Sequence, residues 1–258
     1  MAILVGHTEV SRARFNPSIV TQNQSLYLDA GNVRSYDGAS STWFDLSNNK
    51  RNATLLNGVS YINQGPSSFF SFDGTNDNVT TTYPITATPA LSNWTYEVWT
   101  DIYAFPTAVS GLYRKGTLFG AMNKAGAALY WYGSNLGNSC SIFAIIRGND
   151  LYRSTAGFSM QLNKTYQFTL VNQYSSGFFR LYVNGRQFST AFSPTQQYNA
   201  TNVTGLNIGI SQPQIDVVDP GIASFYTGNV KNVKVYSVAL SPQQVSQNFI
   251  AFRERYGV

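Results

Sequence analysis

The residues able to do chemistry are few, and their scarcity already narrows the function. The 258-residue chain holds one histidine, His7, and one cysteine, Cys140. A Ser-His-Asp or Cys-His site would have to recruit His7 from near the N-terminus, and a zinc site of histidines and cysteines is excluded by counting. Cys140 lies in the run 139–146, the context of a small core residue more than of an activated thiol, and it has no second cysteine to pair with. Among the carboxylates one spacing stands out, Glu97-Val98-Trp99-Thr100-Asp101. On a strand both acids face one side, but at about 3.3 Å per residue they stand ~13 Å apart. Retaining glycosidases hold their two carboxyls about 5–5.5 Å apart and inverting ones about 6.5–9.5 Å apart. Only a bulge would rescue the pair, so a structural, hydrogen-bond-accepting Glu97 is the plainer expectation.

Sugar binding needs an aromatic face and a polar rim. Tyr130, Trp131 and Tyr132 are consecutive, so on a strand Trp131 faces opposite to the two tyrosines. One side then belongs to the core and the other is free to meet a ring. Arg147, Asn149, Asp150 and Tyr152 follow in a segment that can line such a patch. The same residues also read as core aromatics beside a solvated loop.

The composition points the same way. Apolar residues make up 43% of the chain, with 17 Phe, 17 Tyr and 4 Trp, so it can bury a substantial core. Charged residues are only 11%, about half the usual share. A surface of neutral polar groups suits sandwiches and assembled particles better than a crowded cytosolic enzyme. The formal charge is +5, yet the basic residues are scattered and the longest basic runs are the pairs Lys50-Arg51 and Arg114-Lys115. That pattern argues against nucleic-acid binding, which gathers cations on one stripe. The N-terminus lacks a signal-peptide core, and no stretch approaches the roughly 20 apolar residues of a membrane helix. The expectation is a protein made in the cytoplasm with no membrane partner.

The elements that must position these residues are mostly strands. Residues 1–24 lack sustained periodicity and read as an arm in which His7, Arg12, Arg14 and Phe15 offer contacts to a partner. A first strand packed on the same domain is the equal alternative. A strand opens near Leu26 and Leu28, a second lies over 53–56, and 68–82 is a hairpin turning at Asp73-Gly74. In the stretch 103–160 strands are expected near 127–132, 141–147 and 151–156. Thr165–Phe192 is a meander: Tyr166, Phe168 and Leu170 alternate, then Phe179, Leu181 and Val183, with Asn184-Gly185 as a type I′ hairpin signal. By its residue types the meander carries no chemistry. Val230, Val233, Val235 and Val238 place the last strand in the core. At the C-terminus Ser241 is an N-cap, Pro242 opens the helix and Gln244 completes a capping box, with Leu240 and Val245 as a staple. Val245, Phe249, Phe252 and Tyr256 share one helical face. That face docks either on the sandwich or on a neighbouring subunit.

Taken in order, LDAGN, TWFDLSNN, ATLLNGVSY, FSFDGTNDNV, WTYEVW, FRLYVNG, LNIG and GNVKNVKVYSVAL followed by SPQQV resemble the laminin-G-like, concanavalin A-like lectin domains. The resemblance covers residues 25–258, leaving 1–24 as the arm. It implies an all-β jelly-roll sandwich, here with a short C-terminal helix. The AGN opening and the NFIAFRERYG ending look most like copies found in tailed-phage virion proteins. The resemblance allows calcium in rim loops, with Asp216 and Asp219, or Asp73 and Asp77, as ligands; each pair also sits where turns favour aspartate. No other cofactor is implied.

Three functions follow from the resemblance. The first is a non-enzymatic virion structural protein, a capsid decoration or capsid-associated subunit contacting the major capsid or a tail protein. Closed symmetry is the default for such subunits, and a homotrimer is the guess. The second is a glycan-binding adhesin on a tail fibre or capsid surface, meeting a host-surface glycan. The third is a glycoside hydrolase, since some concanavalin A-like enzymes carry two glutamates flanking an aspartate on one strand. Here Trp99 stands in place of the intervening acid, which weakens that reading.

Overall fold

The computed structural model describes residues 17–84, 92–105, 114–123, 125–133, 138–147, 152–192, 205–210 and 225–258. The strands in chain order are β1 (Gln24–Asp29), β2 (Thr42–Trp43), β3 (Ala53–Leu56), β4 (Ser60–Ile62), β5 (Phe69–Asp73) and β6 (Asn78–Thr81). Next come β7 (Trp94–Asp101), β8 (Arg114–Asn123), β9 (Ala125–Gly133), β10 (Cys140–Arg147), β11 (Tyr152–Ser154) and β12 (Phe158–Ser159). The meander supplies β13 (Tyr166–Gln173), β14 (Phe178–Val183) and β15 (Arg186–Phe192). Then β16 (Asn207–Ile208), β17 (Thr227–Tyr236) and the helix α1 (Pro242–Arg253) complete the fold.

Among the described residues the strands form two antiparallel sheets. Sheet A runs β15-β14-β13-β7-β17-β5-β4, with β1 also paired to β17; sheet B runs β11-β10-β9-β8-β16-β6-β3-β2, with β12 also paired to β10. Every pairing between these strands is antiparallel. The alternating residues do what their period dictates: Val98, Phe168, Leu170, Phe179, Leu181, Val233 and Val235 of sheet A meet Phe119, Leu129, Trp131, Ile142 and Ile146 of sheet B in one buried cluster. This is the expected all-β jelly-roll sandwich with a C-terminal helix.

Two departures from alternation are β-bulges, which insert one residue and re-aim its neighbours. On β17 the register jumps from Val230↔Thr100 to Asn232↔Trp99, leaving Lys231 unpaired in the ladder. On β15 it jumps from Leu181↔Ser189 to Tyr182↔Gln187, leaving Phe188 as the extra residue. β8 was not expected from the sequence. A bulge between Thr117 and Phe119 buries Leu118 and Phe119 together, which erases the period-2 signal.

Sheet A carries a third layer. Ser241 Oγ accepts from the Gln244 N–H, and the Gln244 side chain accepts from the Ser241 N–H, so the capping box forms. The helix then lays Val245, Asn248, Phe252 and Tyr256 on the sheet's outer face. Trp99 stacks on Phe249 at 5.6 Å and meets Tyr256 at 5.0 Å. The expected apolar helical face is thus covered by its own chain, and its docking on a neighbouring subunit falls away. Residues 17–24, expected in the arm, also pack here. Val20 is buried, its N–H donates to Asn248 Oδ1 at 2.8 Å, and Tyr236 Oη donates to its carbonyl at 3.0 Å. Two backbone hydrogen bonds fix a segment that has no periodicity of its own to announce it.

Candidate functional site

The carboxylates come first, because they bear on catalysis. Glu97 and Asp101 do share the outer face of sheet A, and each meets a lysine of β17. Lys234 Nζ lies 2.7 Å from Glu97 Oε1, with both side chains fully buried. Asn248 Nδ2 donates to Glu97 Oε2 at 2.8 Å. Lys234 also donates to Asn232 Oδ1 at 2.9 Å and sits over the rings of Phe252 (4.4 Å) and Tyr27 (5.4 Å). Asp101 pairs with Lys231 at 2.8 Å, and Asn229 Nδ2 donates to it at 2.6 Å. The bulge at Lys231 is what brings that lysine to Asp101. Both acids are saturated by lysine and amide donors, and Glu97 lies beneath the helix. Each oxygen of Glu97 already accepts from a buried donor, which fits the structural role expected of Glu97.

The expected aromatic patch does not assemble. Trp131 is fully buried between the sheets, 6.3 Å from Tyr226. Alternation sends it inward while Tyr130 and Tyr132 point outward, so it cannot stack on a ligand. Tyr130 is itself buried beside Ile145 and Phe143, and Tyr132 meets Phe143 edge-on at 6.4 Å. The backbones of Arg147 and Tyr152 are partners in the β10–β11 ladder. Tyr130 pairs with Phe143, four residues from Arg147 and so ~13 Å along the strand. Asn149 and Asp150 lie outside the described residues, as do His7, Arg12, Arg14, Phe15, Asp216 and Asp219. Asp73 and Asp77 serve the hairpin turn: Asp77 Oδ2 accepts from the Asp73 N–H at 2.9 Å, and Asp73 Oδ1 from the Thr75 N–H at 2.7 Å. Among the described residues no cluster of three or more His, Cys, Asp or Glu is placed to hold a metal.

A different site emerges at the end of the sandwich where β13 begins and β14 turns into β15. A groove of about 540 Å³ is lined by Phe158, Gln161, Lys164, Asn184, Arg186 and Phe188, among others. That size is within the range of about 300–1,000 Å³ that small-ligand sites occupy. Its rim is held from two sides. Asn184 and Gly185 take φ of 49° and 74°, the type I′ geometry that Asn-Gly favours. The Asn184 N–H donates to the Gln167 carbonyl, and Asn184 Oδ1 accepts from the Gln167 N–H, both at 2.9 Å. Behind the turn, a Cβ on Gly185 would stand 2.8 Å from the Phe249 side chain, so helix and hairpin touch where only glycine fits.

The groove's aromatic wall comes from the second bulge. Phe188, 45% exposed, meets Phe158 edge-on at 5.4 Å; Phe158 in turn packs on Tyr166 at 5.1 Å and Phe168 at 5.7 Å. Exposed phenyl surface is thus backed by a stack of rings reaching into the core. Gln161, Asn184 and Gln187 also belong to the lining. Tyr166 Oη accepts from the Gln161 N–H at 3.4 Å, and Lys164 Nζ donates to Gln161 Oε1 at 3.4 Å. The lining contains two cations, Lys164 and Arg186, and no carboxylate. Such a groove can stack a ring, hydrogen-bond hydroxyls and hold an anion. Its lining holds none of the carboxylates on which glycoside hydrolysis ordinarily relies.

The family model of the laminin-G-like branch described as the concanavalin A-like lectin/glucanases superfamily matches residues 73–246, well over half of the chain. The chain belongs to that superfamily. No curated protein matches it in sequence. Among solved structures, the binding domain of botulinum neurotoxin serotype D is similar with a TM-score of 0.63 at 14% identity, over 89% of this chain and 52% of that one. The serotype G binding domain gives 0.62 at 16% identity, over 88% and 50%. A serotype D ligand-binding domain in complex with N-acetylneuraminic acid gives 0.63 at 14%, over 89% and 51%. At such identities the likeness is one of fold, and the chain spans about half the length of the structures it matches.

Proposed function

We propose that this chain is a non-enzymatic carbohydrate-recognition module that binds its sugar in the groove between Phe158, Phe188 and the Asn184-Gly185 turn. The observation that carries this reading is the bulge that turns Phe188 out of the ladder and into a groove whose lining also holds Gln161 and Asn184. Aromatic faces and planar amides are the groups that engage the apolar face and the hydroxyls of a saccharide. The superfamily of lectins and glucanases supports it, as do the binding domains of similar fold, one of them in complex with N-acetylneuraminic acid. The lectin side of the family is favoured over the glucanase side because Glu97 and Asp101 are both consumed by lysines. Titration with a panel of oligosaccharides tests the reading: binding is expected, and Phe188→Ala should weaken it about tenfold at an unchanged melting temperature. A panel without any binder, or a Phe188→Ala variant that binds as well, overturns it.

The finer setting is a phage particle, with the module as a capsid-associated or tail-fibre subunit facing a host glycan. The support is the resemblance of the AGN opening and RERYG ending to virion copies. Stoichiometric recovery of the chain from purified particles is expected; its absence from them removes the setting and leaves the groove untouched.

A further inference from the structure

We infer that the groove's ligand is an anionic glycan, whose carboxylate or sulfate is read by Arg186 and Lys164 while Phe188 takes the sugar face. The inference rests on the carbohydrate reading and narrows its ligand class. Elsewhere in the fold, cations that approach the domain's interior are matched: Lys234 to Glu97, Lys231 to Asp101 and Arg255 to Asp29. By contrast, Arg186 and Lys164 are exposed, open to the charge of a ligand. Arg186 opens β15 directly after the turn and has no carboxylate partner among the described residues; Lys164 has only the Gln161 oxygen at 3.4 Å and the Tyr166 ring at 6.0 Å. The two cations lie on separate segments, β15 and the loop between β12 and β13, and converge on one lining that holds no acid. Both segments are fixed: the β15 end by the Asn184–Gln167 clamp, the loop by the Gln161–Tyr166 and Ile102–Asn163 hydrogen bonds. A guanidinium on a held turn offers a planar fork suited to a carboxylate or sulfate. A neutral sugar would leave both cations unused.

Isothermal titration at 150 mM NaCl with four probes decides it: a galacturonic acid hexamer, a heparin-derived hexasaccharide, maltohexaose and a short DNA duplex. An anionic hexamer is expected to bind at least about tenfold more tightly than maltohexaose, and to weaken as salt rises. The galacturonate and heparin arms separate carboxylate from sulfate readout. Arg186→Gln combined with Lys164→Gln should erase the preference, Phe188→Ala should weaken every sugar, and Arg34→Gln, across sheet A in the loop after β1, should change nothing. Equal binding of maltohexaose, unaltered by Arg186→Gln, overturns the anionic inference and leaves a neutral-sugar module standing. Anion binding lost equally in Arg34→Gln, or shared by the duplex, assigns the effect to the chain's overall charge and overturns it too. Silence from all three sugars removes the carbohydrate reading itself.

Discussion

Replacing Glu97 by glutamine tests the account of sheet A's outer face most directly. The substitution preserves shape but removes the charge opposite Lys234, whose ammonium is fully buried. What remains for Lys234 is a neutral amide oxygen in place of the carboxylate, the Asn232 oxygen at 2.9 Å and the rings of Phe252 and Tyr27. Breaking a buried pair by removing one partner costs about 3–5 kcal/mol, and the carbonyl oxygen that glutamine keeps for Lys234 holds the loss to the lower end of that range. A net loss of about 3 kcal/mol is expected. For a domain of this size each kcal/mol moves the melting temperature by about 2–4 °C, so Glu97→Gln should melt roughly 6–12 °C lower. Adding Lys234→Met removes the stranded charge and should return most of that loss. Thermal and urea melts of both variants read the outcome. A single variant within 2 °C or so of the parent, or a double variant no better than the single, refutes the buried-pair account. The same variant addresses catalysis, since a saturated Glu97 predicts no sugar release from either protein.

Three further outcomes follow from burial and backbone geometry. Burial pushes the Cys140 thiol up to about 12, so iodoacetamide should not label the native protein at pH 8 and should label it fully in urea, as mass spectrometry will show. Burial raises Tyr27, Tyr226, Tyr236 and Tyr256 well above the usual tyrosine value of 10.0, with nearby Asp29 adding to Tyr27 and Tyr256. Unfolded chains then lose these protons first, so stability is intact below pH 10 and falls as pH rises beyond it; absorbance at 295 nm should show them ionising together with unfolding rather than before it. Gly185→Ala forces a side chain at positive φ and against Phe249, costing about 1–2 kcal/mol, and should loosen the groove rim enough to lower sugar affinity alongside the melt.

Much of the fold was legible because local rules and global packing agree. The capping box at Ser241 and the hairpin at Asn184-Gly185 follow from spacing alone, whereas for Trp131 spacing gives only that it faces opposite to Tyr130 and Tyr132. The break in alternation from Val230 to Val233 was visible too, but its meaning was not: the bulge at Lys231 serves an ion pair with a residue 130 positions away in the chain. The groove was hidden for a related reason. Its walls come from Phe158, Lys164 and the 184–188 turn, segments that read as unremarkable strand ends until register brings them together. The meander, read as carrying no chemistry, supplies most of the lining. The only local signal was an aromatic, Phe188, two residues after an exposed arginine on an edge strand.

The opening and closing motifs that mark the chain's resemblance are a single structural unit. Arg255, in the RERYG ending, holds Asp29 of the LDAGN opening through both guanidinium nitrogens, one at 2.8 Å, and also reaches the Pro66 carbonyl. Tyr27 Oη and the Gly31 N–H donate to the same carboxylate. Gly31 must be glycine because a Cβ there would occupy the space of the Pro66 carbonyl and the Arg255 guanidinium. These residues fasten the helix across sheet A from its C-terminal end, as Asn248 does from its middle. A sheet face sealed by a helix that is pinned at both points cannot offer a broad binding surface. The groove proposed for the sugar lies at the rim beyond the helix, where most of β15 is exposed and the bulge carries Phe188.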